Sequence, residues 1–104
     1  MKSATWGAAV WEARPGREDE FVERWRAIAE WTLRTFPGTG PARLIQDAAH
    51  PQRFISFFPW RELAEVEEWQ RREEFTALWQ AMEEVLVSAD RRTYELRLEL
   101  GPQQ

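Results

Sequence analysis

Residues 5–21 read TWGAAVWEARPGREDEF, and within them the hydrophobic period changes in the way that decides the fold. From Thr5 to Ala13 the side chains alternate with a period of two, and large apolar groups fall on both faces, which is typical of a strand covered on two sides. Arg14-Pro15-Gly16 ends this strand. Three consecutive acids follow at positions 18–20, and they favour the positive end of a helix dipole. The sequence therefore predicts a strand followed by a helix.

The remainder of the chain alternates between the same two periods. A helical apolar stripe begins at Phe21 and stops before Pro37, which cannot continue a helix. Two strands are predicted over residues 42–48 and 53–60, with a turn at 49–52 between them. Helical periodicity returns over 62–72 and again from 74 to 86, and the pattern leaves open whether this is one bent helix or two. The last strand is predicted over 93–100, with Tyr94 and three leucines on its inner face.

The order β-α-β-β-α-β predicts an α+β, ferredoxin-like fold, with a four-stranded antiparallel sheet and its helices on one face. The length favours a single domain over residues 1–104, with a core at 5–100 and a flexible tail at 101–104. The first and third strands carry bulky apolar residues on both faces. Because an exposed apolar face of that size marks an interface, we expect a homodimer that packs sheet against sheet.

The composition excludes several classes of function. The 104 residues include 14 basic and 18 acidic side chains, seven tryptophans, one histidine, and neither cysteine nor asparagine. Thiol chemistry, disulfides and a multi-histidine metal site are therefore excluded, and no metal is expected. The net charge of −4 argues against a nucleic-acid partner. No apolar run is long enough for a membrane span, and the first residues make a poor signal peptide, so a cytoplasmic location is expected.

Several motifs occur in an order that resembles the antibiotic-biosynthesis monooxygenase family of dimeric α+β barrel proteins. The resemblance covers residues 5–100, and no single motif in it is diagnostic. Its matching residues are the run 14–21 with Trp25, then Pro37-Gly38, then 54–62 with Trp60, and last Trp69 with Glu74-Phe75.

The resemblance implies more than one possible reaction, and many family members have no known activity. Some members oxidise quinol-like or polycyclic aromatic substrates without flavin or metal, and a related branch degrades haem with an Asn, a Trp and a His. The Trp position falls on Trp69, the Asn position on or near Ala9, and the His position on Trp79. Haem degradation is not favoured, because the iron ligand would be missing. We expect no cofactor.

The candidate binding pocket lies between the helices and the sheet. Small residues at positions 7 and 9 leave volume there, as a ligand site requires. Its expected wall consists of Ala9, Trp11, Trp69, Phe75 and Trp79. A packing role in the core is favoured over a catalytic one for the two helical tryptophans, although a pocket wall is itself part of the core.

Cofactor-free oxygenation also needs a group that removes a proton from a phenolic substrate and donors that stabilise the anion. His50 and Tyr94 are the candidates for proton transfer, and Asp47 and Arg97 are the remaining titratable groups considered. An ordinary solvated histidine explains His50, which precedes Pro51 in a polar turn.

Two functions of different classes follow. The first is a cofactor-independent monooxygenase that acts on a small aromatic or quinol-like substrate. The alternative is a non-catalytic dimeric domain that binds an apolar or aromatic small molecule. The absence of the family's Asn and His favours the second.

Overall fold

A computed structural model describes residues 4–102 and forms one antiparallel sheet with three helices. The strand order is β2-β3-β1-β4, and each neighbouring pair is antiparallel. This arrangement confirms the predicted α+β, ferredoxin-like fold. In chain order the elements are β1 (Thr5–Ala13), α1 (Glu18–Thr35), β2 (Arg43–Gln46), β3 (Arg53–Trp60), α2 (Leu63–Arg71), α3 (Glu73–Glu83) and β4 (Leu86–Glu95).

Helix α1 begins at the acidic run, as its sequence predicts. Glu20 pairs with Arg17 and with Arg24, whose Nη2 donates to Glu20 Oε2 at 2.7 Å. Hydrogen bonding from Arg17, reinforced by Arg24, lowers the pKa of Glu20 to about 2. Arg24 also donates from Nη1 to Glu84 Oε1 at 2.7 Å and to the Ala81 carbonyl at 2.6 Å. The start of α1 is thereby tied to the end of α3.

The segment from Leu63 to Glu83 contains two helices, which answers the question that its periodicity left open. Arg72 separates α2 from α3 and has extended backbone angles, with φ −73° and ψ 141°. The turn changes the direction of the chain, so that α2 and α3 present different residues to the sheet. Trp69 of α2 and Phe75 of α3 consequently meet in an edge-to-face contact with ring centroids 4.4 Å apart.

The predicted bounds of the last strand, residues 93–100, are wrong, although residues 93–95 do lie in it. β4 begins at Leu86, which the periodicity assigned to the preceding helix, and its ladder with β1 reaches Glu95. Backbone pairing with β1 decides these bounds, because most of β4 is polar and exposed and therefore shows little hydrophobic alternation. Beyond it, the Leu96 N–H donates to the Ala4 carbonyl, while Leu98 and Leu100 remain 74% and 85% exposed.

Tyr94 lies opposite Trp6 on the face of the sheet that carries no helix, and not on the inner face as predicted. The error follows from the wrong strand bounds, because the alternation of Tyr94 with three leucines was interpreted as the buried face of a strand. Residues 103 and 104 of the predicted tail lie outside the described residues, and residues 101–102 have no regular structure.

The core lies between the inner face of the sheet and the helices. Odd-numbered residues of β1 point into it, and they meet α1 at Phe21 and α3 at Met82. A second buried cluster, centred on Trp60, joins β3 to α2 at Val66. No helix within residues 4–102 is both long enough and apolar enough to cross a membrane.

Candidate functional site

A cavity of about 70 Å³ lies between the inner face of the sheet and the helices. Gly7 and Ala9 of β1 form part of its floor, and their small side chains are what leaves the space open. Above them the wall is mainly aromatic. It includes Trp60, Trp69 and Trp79.

Four of the five residues expected to form a pocket line this cavity, namely Ala9, Trp11, Trp69 and Trp79. Phe75 does not line it. Its ring instead packs between Trp69 and Trp79, with centroid distances of 4.4 and 5.6 Å, and so supports the wall from behind. That these residues bind a ligand stays a prediction.

The two side chains considered for proton transfer lie away from the cavity. His50 is exposed in the turn before β3, where its backbone N–H donates to Asp47 Oδ1 at 3.0 Å. Hydrogen bonds from the backbone N–H groups of Ala49 and His50 lower the pKa of Asp47. Tyr94 is on the opposite face of the sheet, and Arg97 is exposed beyond the end of β4. Neither proton-transfer candidate lines the cavity.

Hydrogen bonds fix two of the tryptophans in the cavity wall. Trp11 Nε1 donates to Ser56 Oγ at 3.0 Å, and Trp69 Nε1 donates to Thr32 Oγ1 at 2.9 Å. The Thr32 hydroxyl in turn donates a hydrogen bond to the Ile28 carbonyl at 2.6 Å. Since these buried donors have partners, both rings are held in position without a ligand.

Arg91 is a cavity residue that the sequence reasoning missed. It pairs with Ala9 across the β1–β4 ladder, so its side chain points to the inner face. The guanidinium carbon lies 5.3 Å from the ring centroid of Trp69 and 5.8 Å from that of Trp79. With its amide oxygen turned toward Arg91, Gln70 accepts from Nη1 at 3.0 Å and from Nη2 at 2.8 Å.

The charge of Arg91 has no counter-ion in the described chain. Among residues 4–102 no carboxylate lies within 4.0 Å of its guanidinium. Burial lowers the pKa of Arg91, yet a guanidinium remains protonated in proteins, so the group is a partly desolvated cation. The residue was missed because the predicted strand began two residues later, which put Arg91 in a loop. No local signal marked it, because β4 is exposed along most of its length and shows little hydrophobic alternation.

The arrangement is suited to an aromatic molecule that carries a negative charge. Aromatic rings supply apolar contact, and the uncompensated guanidinium attracts an oxyanion by a charge-assisted hydrogen bond. Metal binding by clustered side chains has no support within residues 4–102, where no group of three or more His, Cys, Asp or Glu side chains comes together.

The fold and the cavity define a ferredoxin-like α+β protein with an aromatic-lined cavity between sheet and helices. The family model of the antibiotic biosynthesis monooxygenases matches residues 8–81, and the chain belongs to that family. A comparison with curated proteins gave no significant match.

Solved structures from several organisms share the fold. A variant of SnoaB, a cofactor-independent oxygenase from Streptomyces nogalater, is 13% identical and has a TM-score of 0.86 over 96% of this chain and 99% of its own. A conserved protein from Methanosarcina mazei Go1 is 18% identical, with a TM-score of 0.80 over 92% of this chain and 95% of its own. A protein from Pseudomonas aeruginosa is 24% identical, with a TM-score of 0.74 over 93% and 98%. At these identities the likeness is one of fold.

Proposed function

We propose that this protein is a cofactor-independent monooxygenase that oxidises a small phenolic or quinol-like ring in the aromatic cavity. The observation that carries the proposal is Arg91, a cation without a carboxylate partner among residues 4–102, held against two tryptophan faces at the cavity. Membership of the monooxygenase family and the likeness to SnoaB support the same reaction class.

Arg91 would act by stabilising the ionised substrate. A phenolate beside a guanidinium in an apolar site is favoured over the neutral phenol, so the pKa of the bound phenol falls. The electron-rich anion then reacts with dioxygen. One oxygen atom enters the ring, and the other leaves as water with two hydrogen atoms of the substrate, which balances the reaction without a further reductant.

The phenolic proton would leave to solvent. Of the described residues that line the cavity, none has an imidazole, a carboxylate or an amine. Lowering the pKa of the substrate replaces a general base in this scheme, because an already ionised phenol needs no proton acceptor in the oxidation step. His50 and Tyr94, the earlier candidates, have no part in it.

The cavity volume bears on the size of the substrate. Its 70 Å³ is about half of the roughly 150 Å³ of an engineered cavity that accommodates benzene. A single ring therefore fits better than a polycyclic one, and its entry requires small movements of the aromatic wall.

Oxygen consumption tests the proposal directly. We expect uptake above the autoxidation rate with single-ring hydroquinones in metal-free buffer, and less with the three-ring anthrones of the same panel. Arg91→Met keeps the length of the side chain without its charge and should reduce the rate about tenfold or more, as loss of a charged stabilising donor does. The matched control is Arg92→Met, since Arg92 points to the other face and pairs with Asp90. Uptake no faster than autoxidation for the whole panel would refute the oxygenase.

A non-catalytic binding domain is the second candidate, and the lack of a titratable base among the described cavity residues favours it. Tryptophan fluorescence separates the two functions, because Trp69 and Trp79 line the site. Quenching by a phenolic ligand without oxygen uptake would identify a binding domain. Quenching accompanied by uptake would identify the enzyme.

We also infer that two copies pack through the outer face of the sheet. Apolar side chains on that face, including Val10, Ile45 and Phe57, stay 36–54% exposed in one chain. Beyond β4, Leu98 and Leu100 are also apolar and exposed. Arg92 and Asp90 lie on the same face and pair with each other within one chain at 3.1 Å. A second copy is the occupant that this apolar surface fits best, because a two-fold contact places the same patch of both subunits together.

A further inference from the structure

We propose that the indole N–H of Trp60 is a binding-site donor for a neutral oxygen of the ligand, so that the cavity selects rings with an oxygen at each end. This inference rests on the proposed binding of an aromatic ring in the cavity and adds a determinant of specificity to it.

Trp60 is one of the most buried and most firmly held side chains in the protein. It is 2% exposed and ends β3. Its ring contacts three others, with centroid distances of 5.6 Å to Phe36, 4.8 Å to Phe58 and 5.2 Å to Trp69. The direction of its N–H is therefore fixed by packing.

That N–H has no hydrogen-bond acceptor among residues 4–102. Trp11 and Trp69, which line the same cavity, each donate to a hydroxyl oxygen. The described buried polar atoms that lack any partner are Trp6 Nε1 and Glu65 Oε1, so the nitrogen of Trp60 is open to the cavity rather than sealed in. A donor in that position is free to bind an oxygen of a ligand. Trp60 thus differs from Trp11 and Trp69, because its N–H has no acceptor among the described residues.

The space in front of this donor is kept open by Gly7. A Cβ atom built on Gly7 would lie 3.2 Å from Trp60 Nε1, so any larger residue would crowd the indole nitrogen. Gly7 has no positive φ angle, so its backbone conformation does not require glycine. Both Gly7 and Trp60 line the cavity. The unpartnered N–H consequently faces the site where a ligand would bind.

Trp60 and Arg91 approach the cavity from opposite sides of β1. Trp60 belongs to β3 and Arg91 to β4, and β1 lies between these two strands. A ring lying over Gly7 and Ala9 would meet the guanidinium with one oxygen and the indole N–H with another. Arg91 favours the ionised oxygen and the neutral indole favours an un-ionised hydroxyl or carbonyl oxygen.

The test compares two ligands of the same shape under anaerobic conditions. Hydroquinone has oxygens at both ends of the ring, whereas para-cresol has a methyl group in place of one. By isothermal titration calorimetry, wild-type protein should bind hydroquinone about fivefold more tightly, the value of one neutral hydrogen bond. Trp60→Phe should abolish this preference and leave the affinity for para-cresol within about twofold. Trp31→Phe is the matched control, because Trp31 packs against the core without lining the cavity.

Two further measurements keep the test decisive if Trp60→Phe does not fold. Gly7→Ala places a methyl group in front of the indole nitrogen and should remove the same preference. In wild-type protein, one indole N–H NMR resonance should move downfield with hydroquinone and stay in place with para-cresol.

Equal affinity of wild-type protein for the two ligands, or no binding of either, overturns the inference. So does a preference for hydroquinone that survives in Gly7→Ala or Trp60→Phe. Oxygen uptake with no such preference would leave the oxygenase standing and refute the role of Trp60. A preference for hydroquinone without oxygen uptake would support the role of Trp60 and refute the oxygenase.

Discussion

On the inner face of β1, Ala9, Trp11 and Ala13 are almost completely buried, whereas Val10 on the outer face is 36% exposed. The same strand therefore has one face completed by its own helices and one face that a single chain leaves open. On the inner side the aromatic rings enclose a cavity that Arg91 and Trp60 also line. On the outer side apolar side chains stay exposed in one chain. We propose the inner face as the site of a small molecule and the outer face as the contact with a second copy.

The largest effect should come from removing a ring from the inner face. Phe21 is fully buried between Trp11 and Phe54, with centroid distances of 5.4 and 5.0 Å. Phe21→Ala should lower the free energy of unfolding by about 3–5 kcal/mol, through lost transfer energy and a residual cavity. Urea denaturation at low protein concentration measures it. Phe57→Ala on the outer face is the comparison. It should lower the free energy of unfolding by about 1 kcal/mol or less at low protein concentration. Equal losses would contradict the difference between the faces.

A charge on the outer face should separate the two copies without unfolding either. Val10→Lys places an ammonium group at the centre of the proposed interface, and a two-fold dimer carries the substitution twice. We expect the dimer dissociation constant to rise roughly tenfold or more, measured by sedimentation velocity. Circular dichroism should be unchanged. If wild-type protein sediments as a monomer at micromolar concentration, the proposed dimer is refuted.

A smaller effect is expected at the hydrogen bond that orients Trp69 on the inner face. Thr32→Val keeps the shape of the side chain but leaves Trp69 Nε1 without its acceptor, which should cost about 1–3 kcal/mol. Thermal unfolding measures the change. Thr35→Val is the matched control, since Thr35 bonds only to the Trp31 carbonyl one turn earlier. If both variants lose the same stability, the bond to Trp69 is not what holds the ring.

The smallest effect concerns the ion pairs that Glu20 forms with Arg17 and Arg24 at the start of α1. The pKa of Glu20 is lowered to about 2 by Arg17 and Arg24, so its ionised form is favoured in the folded state. The stability that it contributes is present above the ordinary carboxyl pKa and is lost as the pH falls toward about 2. Wild type should therefore be more stable than Glu20→Gln at pH 6, and their urea midpoints should converge near pH 2. Glu23→Gln is the control. A difference in urea midpoint between wild type and Glu20→Gln that does not change with pH would exclude a contribution from these ion pairs.

Most of the fold could be predicted from local patterns. Residues 5–13 and 53–60 form strands where the alternation indicates them, and the acidic run begins α1. The last strand could not be predicted in the same way, because β4 is held by its ladder with β1 and is exposed along most of its length. That single error concealed Arg91 and made Tyr94 look buried.

For this chain, the sequence by itself determined the element order, the aromatic character of the site and the exclusion of thiol and multi-histidine chemistry, because period and composition are local properties. Only the tertiary structure decided which polar atoms face the cavity. Arg91 enters it through cross-strand register, and the N–H of Trp60 is left over because its aromatic neighbours Phe36, Phe58 and Trp69 contact the ring and offer no acceptor. Register and the pairing of hydrogen bonds depend on residues far apart in the chain, and no local pattern contains them.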